Sequence, residues 1–248
     1  MSVLSQAASE CPPTAKWRPY LVLVATRLAE AKPAMASLRN ATDRLLKLLV
    51  ELSPVERGRR AITLSDEMLA ELSASGRSEA ATAASILQPD ASAATCSYSS
   101  AVLGACSIVR EVGNELRVTV FESLAGDDAL GRRMAHELSS LDLPARAVYG
   151  PVTVGAVGDL RLALVGADAV TAQYIINGTP SLELAQAAKG HVPFHVVCET
   201  VKLVRKSRSS AAMIVCRWPW SPVSSPRRVS LGPLRWKGTF PKAASLSM

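Results

Sequence analysis

The sequence predicts an α/β fold: a helical N-terminal domain followed by a Rossmann-like doubly wound parallel sheet. Two observations carry this. Before residue 90 the apolar residues recur only at helical spacing. After it, short runs rich in β-branched residues alternate with helical stretches of about 10–15 residues. Composition agrees: 48% of the 248 residues are hydrophobic and only 4% aromatic. Ala, Leu and Val dominate, which suits helices packed on a buried parallel sheet.

Residues 1–15 contain Pro12 and Pro13 and show no period, so they are expected to be a frayed leader. Residues 16–88 form the helical domain. Leu21, Val24, Leu28 and Ala31 make one helical stripe and Leu38, Ala41, Leu45 and Leu49 another, punctuated by Pro33 and Pro54. Ser65 is a candidate N-cap, with Asp66 and Glu67 in the first turn. That helix is expected to stop at Gly76, with a separate one over 78–87.

Residues 89–205 form the Rossmann-like domain. Its expected strands are 93–98, 116–123, 145–150, 160–168 and 193–200. Helices are expected over 99–111, 128–141 and 179–190, the last capped by Thr179 with Pro180 at its first position. Residues 206–248 are rich in Ser, Arg, Pro and Trp, and are expected to be a disordered basic tail.

The net charge of +7 belongs to that tail. No acidic residue follows Glu199, and ten of the 28 basic residues lie beyond position 200. The first 200 residues therefore hold 18 basic against 21 acidic ones, a net of −3. A nucleic-acid partner is suggested only weakly, by the tail with Trp218, Trp220 and Trp236. A shifted reading frame is a further account of its composition. The five cysteines and three histidines show neither CxxC nor HExxH spacing, so no metal and no cofactor is expected. The scattered cysteines suit a reducing compartment. With no signal-peptide pattern and no apolar run near the ~20 residues of a membrane helix, the expectation is cytoplasmic, with no membrane partner.

The chemistry-bearing residues gather where strands should end. Asp168 follows the fourth strand, at the edge where open α/β sheets bind ligands. It suits a general acid/base or a hydroxyl-binding carboxylate, and equally an Asp that caps its own turn. TCSYSS (95–100) leaves a strand and opens a helix, so Ser97 and Ser99 offer an anion cradle or simply an N-cap cluster. Cys96 there is a candidate nucleophile or plain packing. Glu122 ends the second strand and Arg132 follows Gly131, a candidate phosphate clamp. Asn177 lies in the loop after Asp168, at the same edge. No Ser-His-Asp triad, Walker A loop or GxGxxG is present.

In order and spacing, KPAMASLRN (32–40), TCSYSSAVL (95–103), VTVFES with GRRMA (118–123, 131–135), VGADAVTAQYIIN (165–177) and LELAQAAK with VPFHVVCETVKL (182–189, 192–203) resemble a known family. It joins the alpha, beta and delta subunits of translation initiation factor 2B to the isomerases of methylthioribose 1-phosphate and ribose 1,5-bisphosphate. The resemblance implies a phosphorylated small molecule as ligand, and a homodimer or assembly with related subunits. In the isomerases a Cys and an Asp relay protons. Alignment places Asp168 on that Asp and Ser97 on the Cys, while a one-residue slip places Cys96 there.

Several positions depart from the isomerase pattern. Leu124 replaces the arginine of ESRP, Gly178 stands at the lysine of the NK-x-GT loop, and the RGAPA loop is absent. KPAMASLRN is similar to the regulatory, initiation-factor-like members instead. The resemblance thus implies a non-catalytic regulatory protein binding a sugar phosphate or nucleotide through Ser97, Ser99, Glu122, Arg132, Asp168 and Asn177. The alternative is an aldose-phosphate isomerase with Asp168 and Cys96 or Ser97 as catalytic residues.

Overall fold

A computed structural model describes residues 2–10, 17–123, 129–171, 174–204, 214–217 and 229–230. Four helices come first: α1 (Ser2–Glu10), α2 (Trp17–Ala31), α3 (Ala36–Val50) and α4 (Pro54–Ala84). Then follow β1 (Ala91–Cys96), α5 (Ser100–Glu111), β2 (Leu116–Phe121), α6 (Leu130–Ser140) and β3 (Ala145–Val148). Next are α7 (Val154–Val157), β4 (Leu162–Val165), β5 (Ala169–Val170), β6 (Tyr174–Ile176), α8 (Ser181–Ala188) and β7 (Phe194–Cys198). A 3-10 turn spans Thr200–Lys202, and two short strands follow, β8 (Ile214–Arg217) and β9 (Val229–Ser230).

The main sheet has the order β3-β2-β1-β4-β7-β8. Its first five strands are parallel, and β8 runs antiparallel along β7. The chain winds outward from β1 through β2 to β3, then crosses to β4 on the other side of β1. The switch point therefore lies between β1 and β4. Side chains alternate across the sheet as the two-residue period requires. Ala93, Val118, Val120, Leu162, Leu164 and Val197 face the core with α5 and α6. Ala94, Phe121, Ala163, Val165 and Val196 face the core with α7 and α8. A small antiparallel sheet, β5-β6-β9, extends from the end of β4.

Four expectations are corrected. Residues 2–10, expected to fray, form α1, and Leu4 and Ala8 are buried with Leu21, Leu45, Leu49, Leu64 and Met68 in the helical core. The helix break at Gly76 does not occur: α4 runs 31 residues, capped by Ser53 rather than Ser65. Ser53 accepts from the Glu56 backbone while the Glu56 carboxylate reaches back to the Ser53 N–H, a full capping box. The length of α4, about 46 Å, lets Leu64 and Met68 serve the helical core while Ala83 and Ala84 join the sheet core. Thr179 does not cap α8: Pro180 occupies the N-cap, with no side-chain cap bond and a cis Thr179–Pro180 peptide. Within the tail, expected to lack structure, 214–217 and 229–230 are strands. The remaining tail positions, including the three tryptophans, lie outside the described residues.

Candidate functional site

The carboxyl ends of β1, β2 and β4 come level across the sheet. Cys96 pairs in register with Phe121, and Ala94 with Ala163. Ser97, the next residue, holds a positive φ of 58° while its N–H donates to the Phe121 carbonyl at 2.9 Å. A non-glycine residue in the left-handed region is uncommon and costs energy that its surroundings must supply. Ser99 begins α5 as its N-cap, accepting from the Val102 N–H at 3.4 Å. Its hydroxyl presses on Gly166, where a Cβ would lie 2.5 Å from Ser99 Oγ. The β1 and β4 loops thus close on each other at the switch point, and a side chain at position 166 would displace the Ser99 hydroxyl.

Asp168 stands two residues beyond that contact, half-buried. Its backbone is anchored on both sides: its N–H donates to Ile176 and its carbonyl accepts from Ala36, each bond about 3 Å. Its carboxylate has no hydrogen bond among the described residues. Burial raises its pKa above the ordinary value, against the opposing pull of Lys202 and Lys32. A carboxylate in that condition has spare acceptors at the sheet edge, which a ligand's hydroxyls can satisfy.

Asn177 is tied to the same edge. Its Nδ2 donates to the buried Ser181 hydroxyl at 2.7 Å, and that hydroxyl lies 3.2 Å from Cys96 Sγ. Ser181 therefore takes one of the two Asn177 amide N–H donors and leaves the carbonyl free of hydrogen bonds among the described residues. Cys96 itself is 3% exposed, and burial pushes its thiol up to about 12. A thiol in that state supplies almost no thiolate at neutral pH.

Glu122 is engaged by the backbone of its own loop and helix. The Glu122 carboxylate is buried and turned into the start of α6, accepting from the N–H groups of Ser123 at 2.9 Å, Gly131 at 2.6 Å and Arg132 at 2.9 Å. An acidic group at a helix N-terminus is favoured by the dipole and satisfies donors that have no intrahelical partner. It also fills the place an anion would take. Arg132 is exposed on α6 with no side-chain partner among the described residues. The next residue, Arg133, stacks on Tyr98 at 4.5 Å and binds Glu137, which also accepts from the Tyr98 hydroxyl. Leu124 lies outside the described residues.

Other residues complete the edge. The 3-10 turn places Lys202 2.6 Å from Glu199, both largely shielded. Asn40 of KPAMASLRN fixes that turn by donating to the Val201 and Leu203 carbonyls at 2.6 and 3.0 Å. Glu79 of α4 faces it from the helical side and is 1% exposed. The segments holding Lys32, Asn40, Glu199 and Lys202 were visible in sequence, but nothing local signals that they converge. No grouping of acidic residues, His and Cys among the described residues suits a metal ion, and no described helix is long and apolar enough to cross a membrane.

The model of the Initiation factor 2 subunit family matches residues 5–219. The chain is 28% identical over 213 residues to a translation initiation factor eIF-2B subunit 2-like protein of Pyrococcus furiosus, covering 85% of this chain and 74% of that one. A protein of the same description from Pyrococcus abyssi is 26% identical, over 76% and 66% of the two chains. Among solved structures, the Pyrococcus horikoshii OT3 translation initiation factor eIF-2B superposes with a TM-score of 0.69 at 22% identity, covering 94% and 80%. The tetrameric eIF2B-beta2-delta2 complex from C. thermophilum holds a chain with a TM-score of 0.68 at 18% identity, covering 84% and 72%.

Proposed function

The chain belongs to the initiation factor 2 subunit family, and from that premise we propose that it is a non-catalytic, regulatory member binding a sugar phosphate or nucleotide at the switch point between β1 and β4. The observation that carries this reading is the Asp168 carboxylate, half-buried at that edge, without a hydrogen bond among the described residues, and faced by two lysines. Asp168 receives ligand hydroxyls, and the Asn177 carbonyl accepts a further one. Lys32 and Lys202 supply the positive field for a phosphate. Arg132 approaches from the α6 side, while Glu122 holds the loop in shape rather than touching the ligand.

The absence of turnover is part of the proposal. Isomerisation between aldose and ketose needs a base to move a carbon-bound proton and an acid to protonate the carbonyl oxygen. Asp168 can act as one. Cys96, pushed up to about 12 by burial, is a poor second, and Ser97 has no base hydrogen-bonded to it among the described residues. Assembly with copies of itself or with related subunits belongs to the same proposal. It is supported by the subunit complex from which one similar structure comes. A cytoplasmic site of action follows from the family's role in translation.

A thermal-shift screen against ribose 1,5-bisphosphate, methylthioribose 1-phosphate and nucleoside monophosphates tests the site, with Asp168→Asn alongside. A ligand at 100 times its Kd adds about 2.7 kcal/mol of stability. A shift by one phosphate ester that shrinks in the variant supports the pocket. Turnover of that ligand, abolished by Asp168→Asn, overturns the non-catalytic reading.

A further inference from the structure

We propose that Asn40 is a positioning residue of the Asp168 edge: through its side-chain amide, α3 sets where Lys202 stands relative to Asp168. This rests on the reading of that edge as a ligand site.

Three chain segments meet there, and each carries one charged group. Residues 32–40 bring Lys32 and the start of α3, residues 168–170 bring Asp168, and residues 201–204 bring Lys202. Hydrogen bonds close the three into a ring. The Ala36 N–H, at the start of α3, donates to the Asp168 carbonyl at 3.0 Å. Two residues on, the Val170 carbonyl accepts from the Val204 N–H at 2.8 Å. The ring returns to α3 through Asn40, whose Nδ2 donates to the Val201 carbonyl at 2.6 Å and to the Leu203 carbonyl at 3.0 Å. Asn40 stands one helical turn beyond Ala36, and so on the same side of α3. Of these bonds, only those of Asn40 come from a side chain.

The closing bonds ask for a specific chemistry. Two backbone carbonyls call for two donors, and a primary amide has two N–H groups on one nitrogen. Asn is a poor residue for a helix interior, yet this one is the fifth residue of α3 and its donors serve another segment. The turn they hold lies between the two cores. Val201 packs against the helical core, and Leu203 against the sheet core with α7 and α8. Lys202, between them, is paired with Glu199 and its side chain is 17% exposed. α3 itself is fixed by Ala41, Leu45 and Leu49 in the helical core. One rigid helix therefore holds the Asp168 segment by its first N–H and the Lys202 turn by Asn40. The separation of the two charged groups is set by α3 as much as by the sheet.

Lysine footprinting without ligand tests this first. Wild type and Asn40→Asp, which keeps the shape but has no donor when ionised, are treated with an acetylating reagent, and each site is read by mass spectrometry. Lys202 should react on the order of tenfold faster in the variant, while Lys47 and Lys189, already exposed, keep their rates. In hydrogen exchange the Ala36 and Val204 amides should quicken and those of β1 and β2 should not. An unchanged Lys202 rate overturns the inference. Equal quickening in β1 and β2 overturns it too, because Asn40 would then serve only general stability. The variant also has a pH signature. Its carboxyl, facing two carbonyls, should have a folded pKa raised above the ordinary ~3.9. Its stability deficit against wild type should therefore grow as pH rises through the acidic range and shrink as pH falls, when the protonated acid donates once. A deficit independent of pH overturns the donor role. If Asn40→Asp does not fold, Asn40→Ser, whose hydroxyl donates once, is footprinted in its place, with a smaller rise expected. Ribose 1,5-bisphosphate supplies the last arm: if it binds wild type, its Kd should rise about tenfold in the variant, and an unchanged Kd overturns the inference. Failure of every phosphate ester to bind wild type, with Lys202 released in the variant, strikes the pocket reading alone.

Discussion

Glu122 and Asp168 both stand where a parallel strand ends, on either side of β1, yet they meet opposite surroundings. Glu122 is more buried and has three backbone N–H donors at the start of α6. Asp168 is less buried, and its carboxylate has no hydrogen bond among the described residues, only the field of two lysines. Burial alone does not distinguish a structural carboxylate from one available to a ligand. The supply of donors does. A carboxylate that consumes a helix's free N–H groups has its chemistry spent on the fold, while one held by its backbone alone keeps its acceptors for something else.

The largest expected effect comes from removing the satisfied member. Glu122→Ala leaves the N–H groups of Ser123, Gly131 and Arg132 without their acceptor and opens a space under α6. Losing charge-assisted bonds at a buried site should cost about 3 kcal/mol or more, read from urea unfolding at pH 7. Glu122→Gln keeps the shape and one acceptor oxygen, and should cost less. An alanine variant as stable as wild type would mean that α6 does not depend on this cap.

A tightly packed glycine lies near each of these strand ends, Gly131 against Glu122 and Gly166 against Ser99, and the two should differ in cost. At Gly131 a Cβ would lie 2.8 Å from Glu122 Cα, which is backbone and cannot step aside. Gly131→Ala should therefore cost about 1–3 kcal/mol. At Gly166 the obstacle is the Ser99 hydroxyl, which can rotate away at the expense of the α5 cap. Gly166→Ala should cost about 1 kcal/mol. Chemical denaturation of the two variants side by side checks the order, and a reversed order would break the comparison.

How much of this was legible in sequence follows from the range over which each signal acts. The strands were readable because short apolar runs rich in β-branched residues report burial on both faces, and Asp168 is placed at the carboxyl edge by VGAD alone. Gly76 misled, because the cost of a glycine inside a helix, about 1 kcal/mol, is small beside the packing of α4 against two cores. In residues 1–15 the prolines drew attention from Leu4 and Ala8, which are spaced for one helical face. At Glu122 the sequence supports two roles, because a carboxylate before a glycine and a helix suits both a ligand and a cap. Counting the free N–H groups at the start of α6 would have favoured the cap. The bonds from Asn40 to the Val201 and Leu203 carbonyls join residues 161 and 163 positions apart, and no local pattern encodes them.

The smallest expected effect has the opposite sign. The Asp168 pKa is raised above its ordinary 3.8. Unfolded Asp168 ionises first on raising the pH, and the folded protein resists until its higher pKa is passed. Wild type thus loses stability relative to Asp168→Asn through that acidic window and keeps the deficit above it. At pH 7 the Asn variant should be slightly more stable, read as a higher Tm. At pH 3.5 the two should melt together. A site residue whose removal stabilises the empty protein is held ready for a partner, at a cost the fold absorbs elsewhere. If Asp168→Asn instead melts lower at pH 7, the lysines are anchoring a structural carboxylate. The contrast with Glu122 would then be one of degree, and the ligand reading would lose its main support.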